Sequence, residues 1–191
     1  MEFTHKFHYS PYYCEENIWR LCREPMFRNR PAYVVFVSNP GESCAIWRQR
    51  AADSPHAPMI WDYHVILLAE DPKRGWLVWD LDTTLDIPVE AATWLRLSFA
   101  MGSNIPEAYR PLFRLLTPQE YLRHLSTDRS HMRDENGDWL APPPEWEPPF
   151  QPESGMNLFR FVQMQEEFVG EVLHLPAMWQ RFARAHPTLT E

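Results

Sequence analysis

Cys14, His64 and one of the pair Asp80 and Asp82 are the side chains of this 191-residue sequence best suited to covalent acyl chemistry, if the fold brings them together. Cys14 stands in SPYYCEENIWRLC, with Glu15 and Glu16 directly after it. Cys14, Ile18, Leu21 and Cys22 fall at i, i+4, i+7 and i+8, one stripe of an amphipathic helix. Two acids in its first turn suit the positive end of the helix dipole. The thiol is therefore expected on the inward face at a helix start. The thiolate is the nucleophilic form, and a free thiol titrates near ~8.5. Helix amides and a nearby imidazolium both favour that anion.

The other two groups sit on apolar segments that read as strands. MIWDYHVILLAE (59–70) and GWLVWDLDT (75–83) are joined by a turn around DPKRG. Strand side chains alternate between faces, so Ile60, Asp62, His64, Ile66 and Leu68 share one, and Trp76, Val78, Asp80 and Asp82 share one. An odd-length hairpin loop places both sets on the same side. A loop of 71–73 sets His64 opposite Asp80; a loop of 71–75 sets it opposite Asp82, with Asp80 on the diagonal. Both lie within side-chain reach, and parity does not choose between them. A polar group buried without a partner costs ~2–7 kcal/mol, and an imidazole beside a carboxylate relieves both. With the Cys14 helix packed on this face, thiol, imidazole and carboxylate would serve as nucleophile, base and orienting acid. Amides at the helix start would face a developing oxyanion. Such a site transfers acyl groups from an amide or ester.

Other positions offer weaker chemistry. A half-buried cysteine in a helix is more often packing than catalysis, and Cys22 reads as core. Cys44, in NPGESCAIW, follows a strand and a glycine turn, which makes it a rival nucleophile, but it lacks the G-x-S-x-G spacing. The eight histidines form no HExxH and the three cysteines no CxxC, so no metal is expected. His124, Asp128 and His131 are the remaining candidate zinc ligands. No phosphate-binding glycine motif appears, and no cofactor is expected.

The positioning elements follow from pattern. AYVVFVS (32–38) is a buried strand ended by NPG, RPLFRLL (110–116) another strand, and PVEAATWLRLSFA (88–100) a helix. TPQEYLRHL (117–125) starts a helix by three signals: Thr117 as N-cap, Pro118 at N1 and Glu120 at N3. Residues 126–156 are proline-rich and weakly periodic, a long wrapping loop rather than a boundary. MNLFRFV (156–162) and PAMWQRFARAH (176–186) read as helices, the last burying Trp179, Phe182 and Ala183. The whole is expected to form a single domain over 1–191. Hydrophobic residues at 45% argue against disorder, and a net charge of −8 disfavours nucleic acid. No run approaches a membrane span, and MEFTHKFHYSPYY holds no apolar core of signal-peptide length, so neither a span nor a leader is expected. A low, odd cysteine count fits a reducing compartment, so a cytoplasmic protein is expected.

YCEENIWRLC, IWDYHVILL, WDLDT, STDRSHMRDENGDW, PPP and MNLFRF, in order from about residue 12 to about 162, together resemble the protein N-terminal glutamine amidohydrolase family. WDYH and SDRSHM are long, unusual words, which makes the resemblance specific. It implies an α+β fold, an α/β roll with a largely antiparallel twisted sheet flanked by helices, related to transglutaminase and papain-like cysteine hydrolases. It implies Cys14 as nucleophile, His64 as base and Asp80 as orienting carboxylate. It further implies deamidation of N-terminal glutamine in proteins and peptides, a place in N-end-rule degradation, and a monomer. A chain terminus also needs an anion for its α-ammonium, and Glu15, Asp62 and Asp128 are the candidates. The STDRSHMRDENGDW loop is expected to narrow the pocket to a free terminus.

Overall fold

The structure is a computed structural model that describes residues 7–54, 56–99 and 105–183. His5 and His186, and the expected helix ends at 99–100 and 184–186, fall wholly or partly outside them. At its centre lies β1 (Ala32–Ser38), the AYVVFVS run. It is flanked by β4 (His64–Asp71) and β7 (Leu112–Leu116), and six strands follow the order β6-β5-β4-β1-β7-β8. The outer strands are β5 (Gly75–Trp79), β6 (Val89–Glu90) and β8 (Glu171–His174). Every pairing is antiparallel. The expected α+β architecture, a largely antiparallel sheet with flanking helices, is the one observed.

Alternation along the strands feeds two cores, one on each face. Val34, Phe36, Val65, Leu67, Leu77 and Trp79 pack beneath α1 (Cys14–Leu21), α3 (Pro118–His124) and α4 (Leu158–Val162). Val35, Val37, Ile66, Leu68, Val78 and Phe113 pack beneath α2 (Ala91–Ser98) and α5 (Leu175–Phe182). α1 thus lies on the face of Val65 and Leu67, opposite to the face expected from His64. On α5 the buried residues are Met178 and Phe182, whereas Trp179 and Ala183 are only half-buried. The capping box of α3 is complete: Thr117 Oγ1 accepts from the Glu120 amide, and Glu120 Oε2 accepts from the Thr117 amide.

The expected strand 59–70 is broken. Met59–Trp61 (β3) pairs with Cys44–Ile46 (β2) in a separate two-stranded sheet. Asp62 and Tyr63 form a bend, held where Ser38 Oγ donates to the Asp62 carbonyl at 2.6 Å and the Tyr63 amide donates to Asp62 Oδ1 at 2.8 Å. β4 begins only at His64. The β4–β5 hairpin pairs Asp71 with Gly75 and Leu67 with Trp79. That register sets His64 level with position 82 and Asp80 on its diagonal.

Candidate active site

His64, the first residue of β4, meets Asp80, the first residue past the end of β5. His64 Nε2 lies 2.8 Å from Asp80 Oδ1, and both side chains are fully buried. Asp80 is held by three further donors: the Asp82 amide at 3.1 Å on Oδ1, and Gln49 Nε2 at 3.0 Å and Trp94 Nε1 at 2.9 Å on Oδ2. Burial alone would raise the Asp80 carboxyl, but the His64 charge and hydrogen bond, with those of Trp94 and Gln49, hold it below the usual carboxylate range. Burial alone would lower His64, and Asp80 overcomes it, so the imidazole lies above its ordinary value. The indole of Trp61 stacks on the imidazole at 5.7 Å. Nε2 being engaged, Nδ1 is left buried without a hydrogen-bond partner.

Cys14 is the first residue of α1 and is 6% exposed. The backbone N–H of Val65, the residue after His64, favours its thiolate, so the helix start and the strand start converge although α1 packs on the opposite sheet face. Its S–H donates to Glu15 Oε2 at 3.8 Å. Burial first, then Glu15 and Asp82, push the thiol well above its usual range, and the Val65 amide opposes them. Cys14 lines a cavity of about 380 Å³ with Tyr12, Trp61, Asp62, Tyr63, Met132, Leu140 and Ala141. Tyr12 reaches it through a left-handed backbone (φ 68°), a conformation that non-glycine residues hold at a cost.

The three acids weighed as ammonium contacts are placed differently. Asp62 lines the cavity; its carboxyl is raised by lost hydration, partly offset by the Tyr63 amide. Glu15 is fully buried behind the thiol, where Oε2 accepts from Tyr63 Oη at 3.1 Å and Oε1 lies 3.6 Å from His131 Nε2. Asp128 does not line the cavity. Its Oδ1 accepts from the Ser130 amide at 2.9 Å, bracing a short 3-10 turn, and this hydrogen bonding lowers its carboxyl.

Cys44 is wholly buried in β2 opposite Trp61, where burial pushes its thiol up to about 12. That placement suits packing rather than attack. The burial of Cys22 likewise raises its thiol. Among the described residues, His124, Asp128 and His131 are not brought together; the one cluster of close donor atoms is His64, Asp80 and Asp82, within 4.8 Å of one another. Both Asp80 oxygens already accept hydrogen bonds, and Asp82 accepts from Tyr9 Oη at 2.7 Å.

Sequence reasoning missed Gln49 and Trp94 as partners of Asp80. Trp94 carried a signal, an indole needing an acceptor on a buried helix stripe; Gln49 in an irregular loop carried none. It also missed the Arg129–Glu16 pair, in which Nε donates to Oε1 at 2.6 Å and a terminal nitrogen donates to Oε2 at 2.8 Å. This pair ties the long loop to α1 two residues from the thiol.

Residues 9–182 match the family model described as N-terminal glutamine amidase. The chain is 37% identical over 180 residues to a Bos taurus protein named protein N-terminal glutamine amidohydrolase, covering 92% of this chain and 86% of that one. It is 36% identical over 179 residues to the Homo sapiens protein of the same name, covering 91% and 87%. The Drosophila melanogaster protein of that name is 38% identical over 184 residues, covering 93% and 89%. A match across nearly the whole sheet and every wall of the cavity, at this identity, makes the chain a member of the N-terminal glutamine amidase family.

Proposed function

We propose that this protein hydrolyses the side-chain amide of an N-terminal glutamine, leaving an N-terminal glutamate and ammonia, with Cys14, His64 and Asp80 as its catalytic triad. The family and the names of its relatives support the reaction. The observation that carries the residue roles is the buried His64–Asp80 pair, with a free Nδ1, next in sequence to Val65, whose amide favours the thiolate of a cysteine that opens a helix at the cavity wall.

In this reading the Cys14 proton passes to His64 Nδ1, and the sulfur attacks the carboxamide carbon. Cys14 is the first helical residue, so its N–H has no intrahelical partner and suits the developing oxyanion. His64, now imidazolium, protonates the departing ammonia. It then takes a proton from water as that water opens the thioester. Asp80 fixes the tautomer, with Nε2–H donated to Oδ1 and Nδ1 left for the sulfur. Of the three acids, Asp62 is placed to take the substrate α-ammonium, because it alone reaches the open cavity. Met132, Leu140 and Ala141 of the long loop supply the wall that admits a chain terminus.

The product is a chain with a new acidic terminus, which suits a step in N-end-rule degradation. A cytoplasmic, monomeric enzyme fits this role; among the described residues no helix is long and apolar enough to cross a membrane. The test is mass spectrometry of a glutamine-initiated peptide beside its N-acetylated twin. The free-amine peptide should gain the mass difference between an amide and an acid, with ammonia released and no change in chain length. The acetylated twin should stay intact, and Cys14→Ala should abolish the conversion. Cleavage or crosslinking of the peptide, or turnover by Cys14→Ala, would overturn this assignment.

A further inference from the structure

A second group of titratable side chains lies against the thiol, on the side away from the use just assigned to His64. Glu15, Tyr63 and His131 come from α1, the bend before β4 and the 3-10 turn of the long loop. Tyr63 Oη donates to Glu15 Oε2 at 3.1 Å and lies 3.3 Å from His131 Nε2. Glu15 is wholly buried, its Oε1 has no hydrogen-bond partner, and its Oε2 is the acceptor of the Cys14 S–H. The thiol proton is thus directed at Glu15, while His64 Nδ1, the atom that must receive it, has no partner.

A carboxylate this close, with both groups buried, opposes a second negative charge on sulfur. The other charged or titratable groups acting on the thiol are Asp62 in the cavity wall, Asp82 beside the His64–Asp80 pair, and the phenols of Tyr63 and Tyr121, while His131 Nε2 lies 3.6 Å from Glu15 Oε1. Glu16 is neutralised by Arg129. The surroundings of the sulfur are therefore net acidic. A substrate whose carboxamide sits at the sulfur must carry its α-ammonium roughly 5 Å further on, the span of a glutaminyl side chain, with Asp62 in the same cavity. That places a positive charge where the empty site has an excess of negative charge.

We propose that Glu15 holds Cys14 in its protonated resting form and that the substrate's own α-ammonium releases it, so that a free N-terminus is needed to form the nucleophile as well as to bind. The step is a proton transfer: the S–H bond of Cys14 breaks as an N–H bond forms at His64 Nδ1, and total charge is unchanged. This inference rests on the deamidase reading and goes beyond it. It makes selectivity for a free terminus partly a rate effect, and it gives the empty enzyme an unreactive thiol.

The experiment uses full-length protein, with Cys14→Ser as the background for Cys22 and Cys44. Thiolate ultraviolet absorbance is followed against pH in the wild type and in Glu15→Gln, which keeps the shape and an acceptor for Tyr63. The midpoint should fall by about one unit or more in Glu15→Gln, and iodoacetamide should alkylate Cys14 about tenfold faster near neutral pH. An unchanged midpoint and alkylation rate would overturn the proposal. A second measurement needs no variant. A saturating methionine-initiated tripeptide, which lacks the carboxamide, should lower the wild-type midpoint when its amine is free and leave it unmoved when N-acetylated. No shift with the free amine would also overturn the proposal. Ammonia release from a glutamine-initiated peptide is measured in the same wild-type preparation. Its absence would defeat the deamidase reading, whereas its presence with an unmoved thiol midpoint would defeat this inference alone.

Discussion

His64 and Asp80 depend on each other for their charges, and this gives the pair a pH window. His64 lies above its ordinary value, so the stability that its imidazolium gains is complete below about 6.5 and is lost as pH rises through the raised value. Asp80 lies below its ordinary value, so its share is complete above about 4 and is lost as pH falls through the lowered value. Between these limits the pair stabilises most. Asp80→Asn should therefore cost most stability near pH 5 and progressively less on either side, measured by denaturant unfolding across pH. Activity should fall by about 10²–10⁴-fold, because the amide no longer enforces the tautomer with Nδ1 free. Its acidic limb should also move to lower pH, since the imidazole must be neutral to take the thiol proton and its imidazolium loses the Asp80 partner that raises it. A sequence shows that such a pair is possible through parity alone. Parity admitted both Asp80 and Asp82, and the register that forms puts His64 level with 82 yet bonds it to 80. The choice is made by Gln49 and Trp94, which hold Asp80, and by Tyr9, which engages Asp82.

At the scale of elements, local chemistry was legible wherever a segment solves its own hydrogen bonding. AYVVFVS forms β1 with the expected bounds, and the Thr117 capping box forms as its three signals predict. Thr117→Ala should cost about 1 kcal/mol in unfolding free energy without altering the thiol or its turnover. Elements that owe their existence to distant partners were not legible. The break at Asp62–Tyr63 depends on Ser38 reaching across from β1, and it is this break that lets β4 start at His64 beneath the helix N-terminus. The edge strand β8 is equally hidden: it follows Gly170, whose backbone (φ +87°) passes so close to Leu115 that an added Cβ would sit 2.3 Å from the Leu115 carbonyl oxygen. Arg114 is the most non-local case. It reads as an arginine in an apolar strand, and it is almost wholly buried, donating to the carbonyls of Phe161, Gln163, Glu166 and Val169. Arg114→Met keeps the bulk but strands four acceptors. It should lower stability by about 3 kcal/mol or more, seen as a loss of the cooperative transition at lower denaturant.

At the scale of the whole molecule, the cavity is assembled from segments more than a hundred residues apart, and one ion pair fixes their spacing. Arg129, itself in a left-handed conformation, grips Glu16 and donates to the carbonyls of Pro144 and Trp146, while Trp146 Nε1 donates to Glu16 Oε2 at 2.8 Å. Tyr13 Oη donates to the Ala141 carbonyl at 3.1 Å, one residue from the thiol along α1's entry. The long loop is thereby bound at its shoulders, and those shoulders carry Met132, Leu140 and Ala141 into the cavity wall. Its tip differs: residues 134–138 form an exposed turn closed by the Arg133–Trp139 bridge, and none of them lines the cavity. Replacing 134–138 by Asn-Gly, which suits a two-residue hairpin, should therefore leave discrimination against N-acetylated glutamine peptides intact. The shoulders should not tolerate the same treatment. A buried pair that loses one partner leaves an uncompensated charge, so Glu16→Leu or Arg129→Met alone should cost about 3–5 kcal/mol. The double variant removes both charges and should cost clearly less than the sum of the singles. If the pair mainly sets geometry, the double variant should fold yet still accept N-acetylated glutamine peptides better than wild type, as its loop shoulders relax from α1. A double variant with wild-type selectivity would place the wall's position in Tyr13 and the surrounding packing instead.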